Sequence, residues 1–236
     1  MQVKTKAIVI SAIRYQEKSL IVKCFTQAAG LKSYFVHNAF SHRSPLRISF
    51  FQPLNILEIE ATHKNKGTLE NFKEVRLAVP FATVNTEITK STIVIFISEI
   101  LHHSIREEEC NEDLFAFLET ALHWLDTHDE IANFHLILLL EITKFLGFYP
   151  DTSNLDLPFF EVTEGVFTEL HAASCLDEKQ TSLFKKLIGL RFSTGQKIFS
   201  SNERQTLLQL LLDYYACHLE GFKRPKSLEV LREVFL

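Results

Sequence analysis

The first eighty residues alternate between apolar and polar positions with the period of a β-strand. Residues 3–15 and 18–27 are two such runs, rich in isoleucine and valine and separated by a break short enough for a hairpin. A third run extends from Leu31 to about Ala39, after a turn that ends in Gly30. Residues 54–61 alternate again, and residues 68–77 follow a turn at 63–67. Pro80 closes the set. Five short strands with no helical period among the first four predict a small barrel. At this length the five-stranded OB-fold is the common solution.

Beyond Pro80 the period becomes helical. Helices are expected over residues 86–105, from 111 to about 127, and over 130–146, the last one strongly apolar and stopped by Gly147 and Pro150. Further helices are expected over 177–188, opened by Asp177, and over 202–219, capped by Asn202, with a short one after Ser227. Residues 159–162 and 165–168 suggest a hairpin in an otherwise irregular stretch. The expected class is α+β: an N-terminal OB-fold β-barrel over residues 1–80, then an α-helical domain over 81–236 with an irregular insertion at about 150–175.

Charge divides the chain along the same line. Residues 1–80 hold 12 Lys and Arg against 5 Asp and Glu, whereas residues 81–236 hold 13 against 24. No acidic residue occurs between Lys18 and Leu57. A basic module joined to an acidic one predicts a polyanionic partner for the first alone. The candidate nucleic-acid contacts are Arg14, Lys23, Lys32, His37, Arg43, Arg47, Lys64 and Lys66, with the loop around Arg43 and Arg47 favoured. Tyr34 and Phe35 are candidates for base stacking, and alternation sends one of the two into the core. Lys223, Arg224 and Lys226 form a second basic patch within the acidic half.

Candidate chemistry adds little. The sequence contains no G-x-G-x-x-G, H-E-x-x-H or G-x-S-x-G motif. Gly189 to Lys197 has the wrong spacing for a phosphate loop. His171, Cys175, Cys217 and His218 offer only one pair with usable zinc spacing. His102, His103, His123, His128 and His135 lie on expected helices, where solvated faces account for them. The four dispersed cysteines fit a reducing compartment. No apolar run is long enough to span a bilayer, and the basic N-terminus lacks a long apolar core, so neither a membrane span nor a signal peptide is expected.

Several residues in fixed order resemble the bacterial RecO family of DNA repair proteins. In the barrel these are Tyr15, Glu17, Ser19, Ile21, Val22, Phe25, Thr26 and Gly30, then Phe51 to Leu54, Leu57, Glu58, Gly67, Leu69 and Glu74. In the second half they are Phe145 to Pro150 and the ending Leu219-x-Gly-Phe-Lys-Arg-Pro-Lys-Ser-Leu228. The resemblance implies a recombination mediator and not an enzyme. Such a protein binds single- and double-stranded DNA, anneals complementary strands and acts with RecR to load RecA. It takes up the acidic tail of single-strand-binding protein, and RecF and RecA are reached indirectly. The implied location is the bacterial cytoplasm, at the nucleoid. Many members carry zinc-binding C-x-x-C pairs after the stretch matching Phe145 to Pro150. Residues 151–160 here contain no cysteine, so no metal and no cofactor are expected. The alternative is a protein–protein scaffold whose basic barrel does not bind DNA.

Overall fold

The computed structural model describes residues 1–40, 48–64, 69–105, 110–193 and 198–235. Arg43, Arg47, Lys66 and the stretch from Gly195 to Lys197 lie outside them. The described chain forms two compact units, Met1–Asp126 and Thr127–Leu236.

The first unit is built on strands β1 (Gln2–Tyr15), β2 (Ser19–Thr26), β3 (Gly30–Val36), β4 (Ile56–Thr62) and β5 (Glu70–Leu77). They close into a barrel in the order β1-β2-β3-β5-β4, the five-stranded OB-fold arrangement. Closure depends on β1 reaching two neighbours. Its first half pairs with β4 and its second half with β2, with a bulge between Val9 and Ser11. A bulge bends a strand and increases its twist. At the bend, Val9 N–H donates to the Asn55 carbonyl (3.0 Å), and Leu54 N–H donates to the Val9 carbonyl (2.8 Å). The Asn55 amide holds the preceding 3-10 turn, Ile48–Phe51, by donating to Ser49 O (2.9 Å) and Phe50 O (3.2 Å). The sequence pattern predicted no element at that turn.

Strand alternation decides the core. Val9, Val22, Tyr34, Leu57, Ile59 and Val75 point inward with Phe51. Tyr34 is fully buried and its ring stacks on Phe72 at 4.1 Å. Its hydroxyl shares a 2.8 Å hydrogen bond with Nε2 of buried His63, and burial pushes the phenol up and the imidazole down from their usual pKa values. A buried hydroxyl without such a partner would cost roughly 1–3 kcal/mol. On the outer side, α1 (Ile88–Ser104) packs on β1, and Phe115 of α2 (Glu112–Thr127) meets Phe25 of β2 at 5.9 Å.

The second unit surrounds α3 (Phe134–Leu146), buried along nearly its whole length. Around it stand α4 (Glu178–Ile188), α5 (Ser201–His218), α6 (Leu228–Val234) and a hairpin of β6 (Phe159–Glu161) and β7 (Val166–Thr168). Tyr215 of α5 donates to the Leu139 carbonyl at 2.7 Å, tying α5 to α3. Asp177 caps α4 in a capping box with Gln180. For α5 the cap is Ser200 with Glu203, two residues before the expected Asn202, because Ser200 has an acceptor partner three residues on and Asn202 lies inside the helix. Ser227 occupies the cap position of α6, but its side chain makes no cap bond.

Candidate nucleic-acid interface

The barrel's charges are sorted by strand register. Lys6, Glu58 and Arg76 stand opposite one another across β1, β4 and β5, and so do Lys4, Glu60 and Glu74. Lys4 pairs with Glu60 (3.5 Å), Arg76 with Glu74 (2.5 Å), and Lys6 with Glu119 of α2 (2.7 Å). Two of the barrel's five carboxylates, Glu60 and Glu74, are therefore ion-paired on this face, and a third, Glu58, stands in register with Lys6 and Arg76. A fourth, Glu70, is buried and accepts the Lys64 N–H on both oxygens at 2.9 Å. Glu17, in the β1–β2 turn, is the remaining one. Among the described residues, the surplus positive charge consequently belongs to the side formed by the end of β1, β2 and β3.

The predicted contacts do not share one surface. Arg14 is exposed near the end of β1, donates to the Glu17 carbonyl (2.9 Å) and lies over the Phe40 ring at 4.8 Å. His37 is exposed beside Phe35, with ring centroids 4.4 Å apart. Lys23 stands on the outer face of β2, half-buried, and its charge acts on His102 of α1; burial lowers its pKa. Lys32 is in register with inward-facing Cys24 and acts on His63 at the barrel's end. Lys23 and Lys32 thus occupy opposite faces of one hairpin. Lys64 is exposed in the β4–β5 connection. Of the two stacking candidates, Tyr34 is core and Phe35 faces outward. Tyr15 and Phe40, 44% and 40% exposed, stand beside Phe35 and Arg14 and were absent from the expected contacts. Their exposure follows from the end of strand pairing at the barrel rim, which alternation alone does not mark.

Comparison with known proteins sets this barrel in context. A family model described as Recombination protein O N terminal matches residues 1–81, and one described as Recombination protein O C terminal matches residues 85–229. The chain belongs to the RecO family. Relatives called DNA repair protein RecO are similar over full length: 65% identity over 236 residues in Flavobacterium johnsoniae and 68% over 237 residues in Flavobacterium psychrophilum, each covering 100% of both chains. The similar protein of Phocaeicola vulgatus is 35% identical over 238 residues, covering 98% of each. The chain is thus a DNA repair protein of the RecO family with an OB-fold barrel. Among the described residues, no helix is long and apolar enough to cross a membrane.

In the helical unit of this RecO-family chain, Lys223 and Lys226 are exposed, while Arg224 pairs with Asp213. Arg224 and Arg232 both donate to Oε1 of the Gln209 side chain, each at 3.1 Å. Gln209, Asp213 and Arg232 line a cleft together with Val162, Leu176 and Leu210. Among the described residues no three His, Cys, Asp or Glu side chains converge. His171 packs on Phe159 (4.9 Å), His218 lies flat on Phe148 (5.2 Å), and Asp151 accepts from Ser153 N–H at 2.9 Å.

A carboxylate organises the hairpin instead. Burial would raise the pKa of Glu161, but hydrogen bonds from the Ser174 and Thr163 hydroxyls and the Glu164 and Thr163 N–H groups outweigh it and hold the carboxyl at about 2. Its stabilising effect is therefore complete above the ordinary value of 4.5 and is lost as pH falls from there toward about 2. The melting temperature of Glu161→Gln will lie several degrees below that of the parent at neutral pH, and the gap will close on acidification. A gap independent of pH would contradict this role.

Proposed function

We propose that the protein binds single- and double-stranded DNA through the carboxylate-poor side of its barrel and anneals complementary strands. With RecR it helps load RecA onto DNA coated by single-strand-binding protein, with RecF and RecA reached indirectly, in the cytoplasm at the nucleoid. The acidic tail of single-strand-binding protein docks on the helical unit, where one cleft places Arg232 beside the apolar Val162, Leu176 and Leu210, and Arg224 pairs with its Asp213 carboxylate. The protein performs no turnover chemistry. Annealing needs only that the repulsion between two phosphate chains be screened while the bases stay free to pair.

The observation that carries this reading is the sorting of barrel charge. Register neutralises the β4–β5 face and leaves a net positive surface on the other side, the footprint of a phosphate-binding module. Lys and Arg side chains that neutralise phosphates release counterions, so affinity falls steeply with salt. With about four phosphate contacts, affinity for a labelled single strand will drop roughly fiftyfold between about 50 and 200 mM salt. Arg43→Glu combined with Arg47→Glu will reduce both the affinity and the salt slope. Binding that is flat with salt, or DNA affinity unaffected by the charge reversal, would favour the protein scaffold.

A further inference from the structure

One surface of the barrel is out of keeping with a purely electrostatic grip. Ile13, Ile21, Phe35 and Asn71 stand in one row across β1, β2, β3 and β5, facing outward. Ile13 is 59% exposed. Tyr15 packs its ring edge-to-face with Phe35, centroids 5.8 Å apart, and Phe35 does the same with His37. Around the end of β1, Arg14 covers Phe40. Isolated apolar side chains on a surface are ordinary, but four aromatic rings at one rim are a patch. Two turns meet there, with Gln16 and Asn38 both in the left-handed region, at φ 54° and 48°. The only carboxylate of the β1–β2 turn is Glu17, accompanied by Arg14 and Lys18.

We infer that this rim, Ile13, Tyr15, Phe35, His37 and Phe40 with Arg14, stacks the unpaired bases of a single DNA strand. The inference deepens the DNA-binding reading and rests on it. Aromatic rings interleaved with cations are how sequence-independent single-strand sites work: rings take the π-faces of bases, and cations follow the phosphates. In a duplex those π-faces are stacked inside, so the rim has nothing to grip there. The β1–β2 turn is also one of the two loops that OB-folds use to bracket an oligonucleotide on strands two and three. A few bases are held at the rim and the rest of the strand remains free to pair.

The two components of binding are separable by experiment. Anisotropy titrations would use a labelled single strand, an abasic strand of equal length and a duplex, with the parent protein and with Tyr15→Ala combined with Phe40→Ala. Both side chains are partly exposed, and a thermal melt would check that the variant folds. The variant should lose about ten- to a hundredfold in single-strand affinity, the worth of one stacked base by alanine substitution. Duplex affinity should change less than about twofold. The parent should bind the abasic strand about as weakly as the variant binds the normal one. Tyr15→Phe should retain the parent's single-strand affinity. Equal losses on single strand and duplex, or no loss on either, would overturn the stacking role. Unchanged DNA affinity with lost self-association would assign the rim to a second copy of the chain. A parent protein that binds none of the three would instead overturn the DNA-binding reading itself.

Discussion

Asp126→Ala will destabilise the first unit by about 3 kcal/mol, the combined worth of several charge-assisted hydrogen bonds at a partly buried site. The carboxylate accepts from three consecutive backbone groups, Ala82 N–H (3.0 Å), Thr83 N–H (2.8 Å) and Val84 N–H (3.0 Å), and lies 3.1 Å from the Thr83 hydroxyl. That segment leads from the barrel into α1. The same knot handles a buried cation. Lys90, 1% exposed, donates to Thr83 Oγ1 at 2.9 Å and pairs with Glu87 at 3.6 Å. Alanine leaves the 82–84 amides without their acceptor and loosens the threonine that solvates Lys90. Burial would raise the pKa of Asp126, but its hydrogen bonds lower it below 3.8. The difference between parent and variant will therefore shrink as pH falls below the ordinary carboxylate range. Denaturant unfolding measures both, and a loss under about 1 kcal/mol would show that water replaces the carboxylate.

Gly165→Ala will cost about 3–5 kcal/mol in the second unit, beyond the roughly 1–2 kcal/mol of placing a side chain in the left-handed region. Gly165 has φ 69°, and a Cβ there would lie 2.6 Å from the Tyr214 hydroxyl oxygen. Tyr214 cannot retreat. It is 1% exposed, packs against Phe160 and Phe184, and donates to the Phe148 carbonyl at 2.8 Å. Two controls separate strain from collision. Gly147 has φ 83° with nothing within 4 Å of its Cβ position, so Gly147→Ala will show the backbone cost alone. Tyr214→Phe removes the colliding oxygen and leaves the ring carbon at 3.7 Å, an ordinary contact. The double variant will be more stable than Gly165→Ala by itself. If Tyr214→Phe adds to the damage, the collision is not the cause.

The elements were legible because each is set by local period and punctuation. Residues 3–15 alternate, and β1 is Gln2–Tyr15; residues 177–188 follow a helical period after Asp177, and α4 begins at Glu178 behind that cap. The apolar run from residue 130 overreached because a turn at Ile131, accepting from Phe134 N–H at 3.0 Å, delays α3 to Phe134. The distribution of charge was not legible, because it depends on register between distant strands. Nothing local says that Lys23 meets Ser33 while Lys32 meets Cys24, yet that one-residue offset puts the two lysines on opposite faces. Nor does the sequence show Glu58 and Glu60 matched against Arg76 and Lys4. The positive excess of residues 1–80 was correct as a sum; its location required the closed barrel.

Closure itself rests on a narrow seam. β3 and β5 run parallel and are joined at two residue pairs, Tyr34 with Glu70 and Phe35 with Asn71, whereas the other neighbouring strands share longer ladders. This is the point where the barrel parts most readily, so amide exchange at residues 34–35 and 70–71 should proceed by a shallow opening while β1 and β2 exchange only on global unfolding. The seam also joins segments far apart in the chain. On a ribosome, the first three strands can pair as soon as they emerge, but the cylinder stays an open sheet until β5 has been made.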